Sequence, residues 1–123
     1  MALGAACAKR PDFEFRTASS VAIRHSNTAT GRRYEREVLF EAYQRAAVPR
    51  LRQCASRLAT SEPSPGSVIF VLDAAGQVSQ VFLERETDLG RCFERELRAL
   101  MFPPPPFDGY HQQVRLAPER DES

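Results

Sequence analysis

Residues 67–84 predict a β-hairpin, which limits the chain to folds that contain an antiparallel sheet. Ser67–Leu72 (S-V-I-F-V-L) is rich in β-branched and aromatic residues and is apolar on both faces, which is typical of a central strand. Residues 73–76 (D-A-A-G) predict a tight turn with glycine in the left-handed conformation. Residues 77–84 predict the returning strand.

An amphipathic helix is predicted on each side of this hairpin. The first covers about residues 33–58, and Pro49, which has no backbone N–H, is expected to kink or restart it. The second begins at Thr87 or Asp88, either of which can cap it, and runs to about Met101. The apolar face of the first helix consists of Leu39, Tyr43, Ala47, Leu51, Cys54 and Leu58, and that of the second of Leu89, Cys92, Phe93, Leu97 and Leu100.

A proline run separates the second helix from a final strand. Residues 103–106 cannot be helical, so they predict an extended crossover with Phe102 and Phe107 tucked into the core. Residues 110–116 alternate, with Tyr110, Gln112, Val114 and Leu116 on one face and His111, Gln113 and Arg115 on the other. The predicted fold class is therefore α+β, with two helices packed on one face of a small antiparallel sheet of about three strands.

The N-terminal region is predicted to be an extension of this domain. Phe13, Phe15 and Thr17, and then Val21 and Ile23, alternate with other residues, which indicates extended structure, and residues 26–31 have the composition of a loop. The predicted organisation is a partly extended or disordered segment over 1–31, the α+β domain over 32–117 and a frayed tail over 118–123.

The first seven residues (M-A-L-G-A-A-C) place small residues before a cysteine, as at the end of a bacterial lipoprotein signal. One interpretation is a truncated start, with Cys7 as the lipidated residue that provides an outer-membrane anchor. The other is a chance pattern in a disordered tail.

Composition restricts the class of partner. The hydrophobic fraction is 42%, the charged fraction 27% and the formal net charge +1, as in a globular domain without a strong global field. The arginines of residues 32–58 are interpreted as a solvated helix face rather than a phosphate-binding surface, so no nucleic-acid partner is predicted. The sequence also contains no metal-helix motif and no phosphate-binding glycine loop, so no cofactor or metal is predicted.

Residues 48–116 together resemble a known family. The end of the first helix (V-P-R-L-R-Q-C), the hairpin (G-S-V-I-F-V-L-D-A-A-G-Q-V), the second helix (R-C-F-E-R-E-L-R-A-L) and M-F-P-P-P-P before a last strand are similar to the TonB C-terminal-like superfamily. The resemblance is strongest to the branch found at the ends of myxobacterial gliding-motility proteins, in which a cysteine on each helix accompanies an F-P-P motif. It implies a two-helix, three-strand fold without catalytic residues. In TonB itself this domain works in the periplasm and docks partners by adding their strand to its sheet edge.

Cys54 and Cys92 lie on the apolar faces of the two predicted helices. If those helices pack side by side, the sulfur atoms can form a disulfide, which is expected in an oxidising compartment such as the periplasm or cell envelope. Closing a loop of about 38 residues would stabilise the fold by roughly 4 kcal/mol. The alternative is a pair of separate buried thiols, which is expected in the cytoplasm.

The last strand is the predicted functional surface. At a sheet edge, its backbone could accept a strand from an envelope protein or from a second copy in a homodimer, and Tyr110, His111, Gln113, Val114 and Arg115 would contact that partner. The predicted function is thus a non-catalytic envelope interaction module that works by edge-strand addition or surface docking. The alternatives are a cytosolic interaction domain with reduced cysteines and a small enzyme that uses Cys92 with His111 as base.

Overall fold

The computed structural model describes residues 11–58 and 66–116, which form an α+β domain. Residues 1–10, with Cys7, and the predicted tail lie outside the described residues. The elements are α1 (Pro11–Ser26), α2 (Ala29–Tyr34), a π-helical segment (Glu35–Leu39), α3 (Phe40–Ala46), α4 (Val48–Leu58), β1 (Ser67–Leu72), β2 (Val78–Leu83), α5 (Asp88–Arg98) and β3 (Tyr110–Arg115).

The described strands form an antiparallel sheet in the order β2-β1-β3. The predicted hairpin and the central position of β1 are therefore confirmed. Gly76 closes the hairpin turn at φ 96°, the left-handed conformation that glycine adopts without strain. A Cβ atom at this position would lie 1.9 Å from the carbonyl oxygen of Phe102, because the chain leaving α5 passes directly over the turn.

The two predicted helices lie on the same face of the sheet, as expected. The larger cluster of buried residues among those described joins Val68, Phe70 and Leu72 of β1 to the apolar faces of α4 and α5. Thr87 caps α5 by accepting a hydrogen bond from the N–H of Gly90 at 2.9 Å. The helix ends at Arg98, before Met101, which instead forms an isolated β-bridge with Gln77.

The prediction of extended structure near the N-terminus is wrong for residues 11–26, which form α1. This helix packs on the other face of the sheet, where Phe15, Ala18 and Ala22 contact Ile69 and Phe82. The buried positions step by three and four residues, which is helical spacing, but two of them are alanines. The domain therefore includes α1, and the sheet has helices on both faces.

The predicted loop at residues 26–31 is also only partly correct. Thr28 caps α2, and its hydroxyl oxygen accepts a hydrogen bond from the N–H of Gly31 at 3.0 Å. Gly31 is thus a buried helical residue. A Cβ atom there would lie 1.9 Å from the carbonyl oxygen of His25, so only glycine allows α2 to start this close to the end of α1.

The chain from α2 to α4 is close to one long helix with two irregularities. The helix is interrupted at Ala47 and restarts as α4 at Val48, directly before Pro49, which agrees with the predicted kink or restart. Earlier, the π-helical segment contains a hydrogen bond from the N–H of Phe40 to the carbonyl of Glu35, five residues back. Because of this wider turn, Tyr34 and Leu39 are both buried in the same cluster although they are five residues apart.

The proline run forms the predicted crossover into β3. Phe102 is buried in the core, and Phe107 is partly buried with its ring edge-on to His25. The Tyr34 hydroxyl donates a hydrogen bond to the carbonyl of Pro103 at 2.6 Å, which ties the crossover to α2.

Candidate functional site

A groove of about 510 Å³ runs along the outer edge of β3. One wall is formed by α1 and the other by Glu35 at the start of the π-helical segment. It is lined by Ser19, Ala22, Ile23, Ser26, Glu35, Ser67, Gln112, Gln113, Val114 and Arg115. The edge of the sheet thus lies between two walls rather than facing bulk solvent along its whole length.

The register of the sheet determines which backbone groups of β3 point into this groove. The N–H of Leu116 donates to the carbonyl of Gly66, and β1 and β3 pair regularly from that point. Even-numbered residues of β3 therefore bond to β1, whereas the backbone groups of His111, Gln113 and Arg115 point outward. Among the described residues, the N–H groups of Gln113 and Arg115 have no hydrogen-bond acceptor, so they can pair with another chain.

The first outward N–H of β3 is already occupied. His111 donates its backbone N–H to Nδ1 of His25 at 3.1 Å, and the Ser19 hydroxyl donates to Oε1 of Gln113 at 2.7 Å. These bonds fix α1 against β3. The pKa of His25 is lowered from its ordinary value by partial burial, and further by the neighbouring His111 and Arg24, so the neutral acceptor form is favoured.

The opposite wall is a polar corner. Nε2 of Gln112 donates to Oε2 of Glu35 at 2.8 Å and to the carbonyl of Gln113 at 3.2 Å. Oε1 of Gln112 is buried and finds no hydrogen-bond partner within the part of the chain that the structure describes. Burial raises the pKa of Tyr110 to about 12, and the nearby charge of Glu35 adds to this effect. This corner therefore has more acceptors than donors.

The predicted partner-binding residues divide into four groups. Gln113 and Arg115 are at the free edge, and Val114 lines the groove with its side chain while its backbone bonds to β1. His111 is half-buried beside α1. Tyr110 is fully buried and its hydroxyl donates to the carbonyl of Gly31, so its side chain is not available to contact a partner as predicted.

Sequence reasoning missed Glu35, Gln112 and Ile23. Glu35 and Gln112 are 77 positions apart, and no local pattern links them. Ile23 is apolar, but its alternation with Val21 predicts an extended segment rather than a helix. Its side chain is 56% exposed on α1, next to the groove.

The other edge of the sheet is less suited to strand addition. The pairing of β1 with β2 contains a bulge between Val71 and Leu72, whereas the pairing of β1 with β3 is regular. Bulges twist an edge and oppose further pairing. Beside β2 there is a smaller pocket of about 230 Å³, lined by Phe13, Val21, Phe82 and others. The β3 edge is therefore the candidate site.

Cys54 and Cys92 are joined in the structure, with an S–S distance of 2.02 Å and Cα atoms 5.9 Å apart. This separation lies within the usual range for disulfides. The sulfur of Cys92 is thus bonded and buried, which argues against the alternative of a Cys92–His111 nucleophilic pair. The structure contains no group of three or more histidine, cysteine or acidic residues placed to hold a metal ion, within 11–58 and 66–116.

None of the helices described between residues 11 and 116 is long and apolar enough to cross a membrane. Comparison with protein-family models, curated proteins and solved structures finds no match to the chain. The resemblance to the TonB C-terminal-like superfamily therefore stays a prediction, and the function is argued from the geometry of the β3 edge.

Proposed function

We propose that the chain is a protein-interaction module of the cell envelope that takes up an extended segment of a partner as a further strand beside β3. The observation that carries this proposal is the pair of outward N–H groups, those of Gln113 and Arg115, which open onto the 510 Å³ groove. Such groups are the recognition elements of β-strand addition. The predicted TonB-like resemblance suggests the same binding mode.

The size of the free edge indicates a short bound segment. With the N–H of His111 held by His25, a partner strand can bond to the N–H groups of Gln113 and Arg115 and to the carbonyls beside them. About four such bonds contribute roughly 0.5–1.5 kcal/mol each. The groove walls must supply the remaining affinity through side-chain contacts, and these contacts also set the choice of partner.

The proposed compartment rests on the disulfide. Disulfides persist in oxidising environments such as the periplasm and are rare in the cytosol. Alkylating free thiols in intact cells before lysis, followed by mass analysis of the isolated chain, tests this location. Cys54 and Cys92 should escape alkylation unless the chain is first reduced. Quantitative labelling of both without reduction would instead favour a cytosolic interaction domain.

Strand addition is tested by a matched pair of substitutions at one edge position. Arg115→Pro removes an outward N–H group without removing a bond to β1, and edge strands tolerate such prolines. Arg115→Ala removes the same side chain and keeps the N–H. In pull-downs from envelope extracts, a specific partner should be retained by Arg115→Ala and lost with Arg115→Pro, while both variants keep the wild-type circular dichroism spectrum. Equal retention by both would contradict strand addition.

A further inference from the structure

We infer that the segment bound beside β3 alternates apolar and basic side chains, with the apolar ones facing α1 and the basic ones facing Glu35. This inference rests on the proposed function and names the kind of partner that the same groove fits. It follows from the different chemistry of the two walls, because successive side chains of an added strand point to opposite faces of the sheet.

The wall formed by α1 favours apolar side chains. Ala22 and Ile23 line the groove there, and the Ile23 side chain is 56% exposed. The odd-numbered side chains of β3 lie on this same face, and the last of them is Arg115. A basic side chain of the partner on this face would approach Arg115 and be repelled, whereas an apolar one would cover Ile23.

The opposite wall favours a cation. The partly buried carboxylate of Glu35 accepts a hydrogen bond from Gln112 but forms no ion pair with any arginine of the described residues. A lysine or arginine side chain from the partner would supply the missing positive charge and donate a hydrogen bond to this carboxylate.

A second copy of the chain fits this site less well. Two β3 strands paired antiparallel, edge to edge, keep their faces on the same sides of the joint sheet. Gln112 and Val114 of the second copy would then lie on the face of Glu35, and its Arg115 would lie on the face of α1. The carboxylate would remain without a cation, so a heterologous segment with basic residues is the better occupant.

The test uses capped peptides of about seven residues, long enough to span roughly 23 Å when extended. One alternates valine with lysine and the other valine with glutamate. Binding is followed by NMR through the amide resonances of Gln113 and Arg115 in the whole chain. The valine–lysine peptide should bind wild-type protein about fivefold more tightly than the valine–glutamate peptide, with a preference that decreases as salt is added.

Substitutions at Glu35 measure how much its negative charge contributes to peptide binding. Glu35→Gln keeps an oxygen that can accept from Gln112 and should weaken binding of the valine–lysine peptide about fivefold. Glu35→Lys should reverse the preference between the peptides. Glu37→Gln makes the same change in net charge at an exposed residue that does not line the groove, and it should leave both affinities within about twofold of wild type.

The apolar wall has its own variant. Ile23→Ser should weaken binding of the valine–lysine peptide, because this peptide presents its valines to α1. Val38→Ser serves as the control, since Val38 is exposed on the π-helical segment away from the groove. Equal effects of the two serine variants would overturn the assignment of the apolar face to α1.

The outcomes separate the inference from the proposed function. Suppose that both peptides bind, that both bind less well to Arg115→Pro than to Arg115→Ala, and that Glu35→Lys does not alter which peptide binds more tightly. The inference is then overturned, and strand addition stands. If neither peptide shifts the edge amides, or if Arg115→Pro binds as well as Arg115→Ala, the proposed function is overturned and the inference falls with it.

Discussion

On one face of the sheet, α4 and α5 bury most of the described core, and the disulfide between Cys54 and Cys92 fixes the two helices to each other. On the other face, α1 contributes one buried phenylalanine and two buried alanines, which pack on Ile69 and Phe82. Two hydrogen bonds to β3 and ring contacts of His25 with Phe107 and Tyr110 add to its attachment. Helix length does not explain this difference, because α1 is longer than either α4 or α5.

The comparison shows how firmly each wall of the groove is held. The wall that carries Glu35 continues into the covalently fixed side of the domain, whereas the α1 wall is held without a covalent link, through three buried apolar side chains and a few polar contacts. Binding sites commonly include elements that open at low free-energy cost. We therefore expect the α1 wall to be the one that adjusts when a segment binds.

The largest predicted effect concerns the fixed face. Cys54→Ala/Cys92→Ala should lower the free energy of unfolding by about 4 kcal/mol, because the reduced chain regains the entropy of a 38-residue loop. Urea denaturation gives the value, and wild-type protein measured in reductant serves as the control. A loss below about 1 kcal/mol would mean that packing alone holds α4 to α5.

A matched pair of phenylalanines compares the two faces directly. Phe93 is a core residue of α5, and Phe93→Ala should lower the free energy of unfolding by about 4 kcal/mol, as expected for a fully buried ring. Phe15→Ala should lower the free energy of unfolding by about 2 kcal/mol, because the destabilisation cannot exceed the free energy with which α1 packs on the sheet. In Phe15→Ala, the backbone amides of α1 should exchange faster with solvent, while those of α5 stay protected. Equal losses, or a uniform change in exchange, would show that α1 is as firmly integrated as α5.

The smallest predicted effect depends on pH and concerns His25. Because its pKa in the folded protein is below the ordinary value of 6.5, the unfolded chain takes up this proton first as the pH falls. The contribution of His25 to stability is thus complete above pH 6.5 and decreases as the pH is lowered through that value. The free energy of unfolding should be lower at about pH 5 than at about pH 7.5. His25→Asn should make this difference smaller, since asparagine offers an acceptor that does not titrate.

The hydrogen bond from the N–H of His111 to His25 can be tested directly by hydrogen exchange. Amide exchange of His111 should speed up toward low pH, relative to the intrinsic rate, in wild-type protein but not in His25→Asn. If the two proteins behave alike, the bond from His111 to His25 does not hold α1 at the edge of the sheet.

The elements found from sequence are those marked by large apolar residues at regular spacing. Val68 to Leu72, the apolar stripe of α5 and the break near Pro49 all carry such local signals, and the two cysteines lie on stripes that face each other if the two helices pack side by side. Helix α1 was missed because Ala18 and Ala22 form its buried face, and small residues contribute little to a hydrophobic pattern. Counting them as apolar would have favoured the helix.

The site was only partly predictable, for a different reason. Several strand orders are compatible with the sequence, and β3 lies at an edge in only some of them. The register between β1 and β3 then decides which N–H groups of β3 are free, and this register is defined only in the folded sheet. The alternation places Tyr110 on the same face as Val114 and Leu116, but only the folded structure shows that its ring is buried and its hydroxyl bonds to Gly31 of α2. Glu35 joins the groove through the end of a helix far away in sequence, so its role depends on tertiary structure alone.

The π-helical segment gives the chain an unusual dependence on the exact number of residues in one turn. Deleting a single residue between Glu35 and Leu39 would convert this turn to ordinary α-helix and rotate everything before it by about 100° relative to α3 and α4. Tyr34 would swing out of the core and Glu35 away from the sheet edge, while the disulfide-linked half stayed in place. Homologous chains that bind the same kind of segment should therefore keep the length of this turn even where its residues differ.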